Sequence, residues 1–128
     1  MNLSPDRQDL EQVAASTMDR TIAAAYALAE LAARDERYDH LAALAAAAYA
    51  TEATMYLPLP EAVPEDGDAG ADLSLVGQLN DLADALDELG ERSSDLRRIR
   101  DRHMAALHIR DAAIAWRNAL MVGQGAAE

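Results

Sequence analysis

Alanine is the commonest residue of this chain and leucine the next, and that bias constrains the fold more than any motif does. Both residues lose little side-chain freedom in a helix. Phe and Cys are absent, and the β-branched and aromatic residues that populate strands are scarce. A chain of 128 residues with this composition predicts a single all-α domain, residues 1–128, with a modest core.

Four helices are expected, over about 4–35, 38–57, 73–90 and 94–122. Ser4 and Pro5 open the first as N-cap and first helical residue. The charged segment 34–39 reads as a tight turn, with Asp35 or Asp39 capping the second helix. One continuous helix to Leu57 is the competing reading. The second helix carries Leu41, Leu44, Ala45, Ala48, Met55 and Tyr56 on one face and stops before Pro58 and Pro60. Residues 58–72 hold three prolines, two glycines and five acidic residues, and are expected to form a flexible acidic loop. The third helix turns Leu75, Val76, Leu79, Leu82, Ala83, Leu86 and Leu89 inward and ends on Gly90 as its cap. Ser93 or Ser94 caps the fourth. Short turns at both outer connections predict an up-down bundle in which helices 2 and 4 run parallel. The first and fourth helices exceed the other two by about ten residues. Their overhang exposes apolar surface that a homodimer would cover.

The net charge is −12, and all 11 basic residues are Arg. Such a surface repels phosphate backbones, so no DNA partner is expected. Without cysteine there are no disulfides, no thiol catalysis and no thiolate zinc site. No apolar run reaches the ~18 residues of a membrane helix, and the first residues lack the pattern of a signal peptide. The expected setting is therefore the cytoplasm, with no membrane contact. No cofactor is expected, and no metal. Glu36 and His40 stand at a helix start without partner glutamates, and His103 and His108 leave a helix on different sides.

Three readings of function follow. On a helical wheel of ~100° per residue, the apolar arc of the fourth helix contains Leu96, Ile99, Ala106, Leu107, Ala113, Ile114, Leu120 and Met121. His103, Arg110 and Arg117, seven residues apart, fall in the same arc, and Glu52 falls in that of the second helix. A parallel pairing of these helices sets Glu52 against Arg110, since a buried arginine needs a partner. That pair serves either as a register lock or as part of a small-anion site made by Glu52, His103, Arg110 and Arg117. The stretch from Arg102 through His103 to His108 resembles the Arg-polar-x4-His pattern of HEPN-type ribonucleases and toxins. The resemblance covers seven residues. It implies RNA as substrate, with Arg102 and His108, or His103, converging across a dimer two-fold. The preferred reading is a non-enzymatic helical module that associates with itself or with another protein. In that reading Trp116 belongs to core or interface, and Tyr26 faces a partner.

Overall fold

The computed structural model describes residues 7–58 and 73–126. Four helices follow one another, α1 (Arg7–Ala32), α2 (His40–Thr54), α3 (Ser74–Glu91) and α4 (Leu96–Ala126), with no strand among the described residues. The architecture is the expected all-α four-helix bundle, and each helix lies within a few residues of its expected place. The Ser4-Pro5 start and most of the acidic loop, residues 59–72, fall outside the described residues.

Side-chain caps explain where the helices begin. Asp39 has an extended backbone, and its carboxylate accepts the N–H groups of Leu41 and Ala42 at 3.0 and 3.2 Å. Two of the four orphan donors of α2 are thereby satisfied, which makes the 34–39 segment a turn rather than a continuous helix. Asp35 instead folds back on Arg37, accepting from its backbone N–H and its guanidinium. At α4 the cap is Asp95, which accepts the N–H of Arg97 at 3.0 Å, and not Ser93 or Ser94. Ser93 Oγ accepts the N–H of Asp95 one step upstream. Gly90 is not a helix cap either. The helix continues to Glu91, and no described glycine has a positive φ. Gly90 marks the close approach of α3 to α4, where a Cβ would stand 3.3 Å from Cβ of Arg102.

The helix directions differ from the parallel pairing expected for helices 2 and 4. The N–H of Asp39 donates to the carbonyl of Ala119 at 3.0 Å, so α2 begins beside the later part of α4. Tyr56, just past α2, stacks on His108 in the first half of α4. The two helices are therefore antiparallel. So are α3 and α4, because Asp84 pairs with Arg110 while Asp87 meets His103. Glu11, early in α1, meets Arg102, early in α4. Thus α1 and α4 point one way, α2 and α3 the other. Tight turns force the α1–α2 and α3–α4 hairpins to be antiparallel. The long α2–α3 connection imposes no such rule, and packing sets the direction.

That packing matches large residues to small ones. The α4 helix lies against both α2 and α3, α2 lies against α1, and α1 touches α3 only lightly. At one end Trp116 is fully buried among Ala43, Ala46 and Ala47 of α2 and Ala25, Leu28 and Ala29 of α1. At the other, Leu79, Leu82 and Leu86 of α3 pack over Ala105, Ala106, Ala112 and Ala113 of α4, with Met18 and Ile109. Interiors pack as densely as organic crystals, so an indole on one helix requires alanines opposite.

Candidate functional site

Arg102 is the most deeply buried charge among the described residues, with 1% of its surface exposed. It lies in the middle of the true inward arc of α4, between Ala105, Ala106 and Ile109. Nε donates to Oε2 of Glu11 at 2.7 Å, and Nη1 donates to the carbonyl of Leu89 at 3.4 Å. Nη2 has no hydrogen-bond partner among the described residues. A guanidinium in this position needs its carboxylate, because removing one member of a buried pair costs about 3–5 kcal/mol. The pair joins α1 to α4 and to the end of α3. It therefore ties α1 to α3, which otherwise barely touch.

A second network lies half-buried between α3 and α4. Asp87 accepts from Nδ1 of His103 at 2.5 Å and from Nη1 of Arg110 at 2.7 Å. Asp84 accepts from Nη2 of Arg110 at 2.6 Å. Facing a carboxylate, Nδ1 of His103 is the protonated ring nitrogen. Burial alone pushes the Asp87 carboxyl up, but the bonds from His103 and Arg110 outweigh it and hold the group below the usual carboxylate range. Arg110 is raised above its ordinary value, first by its bond to Asp84 and then, against some burial, by Asp87.

These contacts divide the residues expected to gather around one anion. His103 and Arg110 belong to the α3–α4 network, where aspartates already occupy them. The expected Glu52–Arg110 pair is not formed. Glu52 is exposed on α2, off the alanine face that packs on α4, while Arg110 is held by Asp84 and Asp87 of α3 on a different flank of α4. Arg117 is exposed as well. The HEPN-like stretch is likewise divided within one chain. Arg102 is engaged in the core, whereas His108 leaves α4 on another side and stacks on Tyr56 at 5.8 Å. Nδ1 of His108 is buried without a hydrogen-bond partner among the described residues. Trp116 belongs to the core, and Tyr26 is exposed on α1. Among the described residues no group of three or more His, Asp or Glu could hold a metal ion, and no helix is long and apolar enough to cross a membrane.

What remains is a surface. The inward residues of α2 are all alanine: Ala43, Ala46, Ala47, Ala50 and Ala53. Of its larger apolar residues, Leu44 is half-buried against the core, whereas Leu41 and Met55 point away from the bundle. Leu41 and Met55 are 74% and 72% exposed, and Ala48 between them is exposed too. Leu41, Ala45, Ala48, Glu52 and Met55 follow one another at steps of four, three, four and three, the spacing of a coiled-coil seam, with Ala45 half-buried against the core. Glu52 is the sole acidic or basic residue of α2, counting His40 as neutral. Counting leucines and methionines rather than alanines hid this inversion from the sequence reading. It also displaced the apparent apolar arc of α4 toward the exposed Leu96, Leu107 and Ile114 and away from Arg102. No family model, curated protein or solved structure matches the chain.

Proposed function

We propose that this chain is a helical protein–protein association module that works through the outer face of α2, with a homodimer as its assembly. One observation carries the reading: α2 fully buries only alanines, while Leu41 and Met55 at its two ends are largely exposed. A helix that is hydrophobic all round belongs in an interior. Here the inner half is supplied by α1 and α4, and the outer half awaits a partner. Lone exposed apolar residues are ordinary, but a seam of them at heptad spacing is not.

On this surface Glu52 is the one charged residue that opposes association. With a net charge of −12, two copies repel each other at long range. The outer stripe of α4 also exposes Leu107 and Ile114, but it interleaves them with His103, Arg110 and Arg117. Desolvating those groups costs more than desolvating a face with a single carboxylate.

Light scattering across a concentration series tests the reading. The wild type should approach twice the monomer mass. Leu41→Glu with Met55→Glu should weaken self-association by at least about tenfold, or 1.4 kcal/mol. Leu107→Glu with Ile114→Glu adds the same charge to α4 and should leave association largely unchanged. A strict monomer at millimolar concentration contradicts the proposal.

A further inference from the structure

Charge is unevenly shared among the four helices. α4 carries six of the 11 arginines against two aspartates, Asp101 and Asp111, whereas acidic residues outnumber basic ones in each of the other three, counting His40 as neutral. α4 is thus the basic element of a chain with a net charge of −12. We propose that its outer stripe docks an acidic amphipathic helix of a different protein.

The stripe is long and regular. Leu96, Arg100, His103, Leu107, Arg110, Ile114 and Arg117 follow one another at alternating steps of four and three, the spacing of a coiled-coil seam. It spans about 31 Å at ~1.5 Å per residue. Leu96, Leu107 and Ile114 are 81%, 48% and 58% exposed, so the bundle leaves its apolar positions uncovered.

The cations of the stripe select its occupant. Arg110 is already held by Asp84 and Asp87 and offers mainly its apolar stem. Arg100 and Arg117 are exposed and left over. The one ion pair of Arg100 among the described residues is a 3.8 Å contact with its neighbour Asp101, and Arg117 forms none. These two stand on either side of Leu107 and Ile114, about 25 Å apart along the helix at ~1.5 Å per residue. A partner helix with apolar residues over Leu107 and Ile114 and a carboxylate toward each end supplies what the stripe lacks, because the guanidinium fork matches a carboxylate. Those carboxylates also offset the cost of desolvating the arginines. A second copy cannot do so, since the same stripe brings three more arginines and no carboxylate. The acidic residues of the other helices repel such a partner from afar, but over little more than the ~8 Å Debye length at physiological ionic strength. Contact with the stripe therefore decides.

Two labelled helical peptides of about six turns, with one leucine heptad core and either glutamates or lysines at both ends, test this by fluorescence anisotropy against the full chain. The glutamate peptide should bind at least about tenfold tighter than the lysine peptide. Arg100→Glu with Arg117→Glu should reverse that order. Leu107→Glu with Ile114→Glu should abolish binding of both peptides, with circular dichroism confirming that each variant is folded. Leu41→Glu with Met55→Glu should bind the glutamate peptide as the wild type does, which separates this face from that of α2. If the lysine peptide binds the wild type equally well or better, net charge rather than the stripe selects the partner and the proposal is overturned. It is overturned too if either α4 double variant binds both peptides like the wild type, or if neither peptide binds the wild type at millimolar concentration. None of these outcomes bears on self-association through α2, which light scattering reads separately.

Discussion

α2 and α3 flank α4 in the same direction, yet they are built on opposite plans. α3 is amphipathic in the ordinary way, with Leu79, Leu82 and Leu86 buried and Asp81, Asp84 and Glu88 exposed. α2 buries only alanines and leaves Leu41 and Met55 outside. The partner surface explains the contrast. α3 meets the alanine stretches of α4 and must fill space, whereas α2 meets Trp116 and must leave it. Residue size at a helix face is thus set by what stands opposite.

The largest effect should come from removing the largest residue on the alanine side. Trp116→Ala leaves a cavity that the surrounding alanines cannot fill, and should cost about 3–5 kcal/mol. Leu86→Ala, the counterpart on the α3 side, should cost about 2–5 kcal/mol. Chemical denaturation measures both, and an effect below about 1 kcal/mol for Trp116→Ala breaks the account of α2 packing.

Ala46→Leu adds volume where α2 meets Trp116 and should destabilise by about 1–3 kcal/mol through overpacking. Leu41→Ala, one turn earlier but facing outward, should change the stability of the monomer by less than about 0.5 kcal/mol. If the two costs are equal, the distinction between the inner and outer faces fails.

The α3 side differs in polarity as well, which acid can sharpen. The folded-state value of Asp87 lies below its unfolded one, so its contribution is present above the usual carboxylate range and is lost as pH falls through the folded-state value. Its partners are partly exposed, so the contribution should be about 1 kcal/mol or less. The stability gap between wild type and Asp87→Asn should therefore be constant above about pH 5 and close below about pH 4. A gap that persists unchanged to about pH 3 contradicts the assignment.

Gly77 gives the smallest effect, with the opposite sign. It lies inside α3, a Cβ added to it would meet nothing within 4 Å, and its φ is not positive. Gly77→Ala should stabilise by about 0.4–1 kcal/mol through helix propensity and a less flexible unfolded chain. Thermal denaturation reads it as a rise of a few degrees.

Much of this was legible in the sequence, and the rest was lost for one physical reason. Leu79, Leu82 and Leu86 revealed the inward face of α3 because that face is large and its opposite is charged. On α2 and α4 the inward residues are mostly alanines, which carry little hydropathy, so the larger Leu41, Met55, Leu107 and Ile114 stood out as if they marked the core. That misplaced arc took in His103, Arg110 and Arg117 and passed over Arg102, whose partner Glu11 is 91 residues away. The Glu52–Arg110 expectation rested on the same arc together with a parallel pairing. Helix direction could not be read either, because the long α2–α3 segment permits both senses.

The central claim, that the outer face of α2 is covered by a second copy, is most directly tested at its methionine. With methyl-labelled methionine, Met55 lies in the proposed seam and Met18 is fully buried in the monomer core. Diluting the protein through its association range should shift the Met55 methyl resonance progressively and leave that of Met18 in place. A Met55 resonance that stays constant while light scattering reports the change from dimer to monomer would contradict the claim.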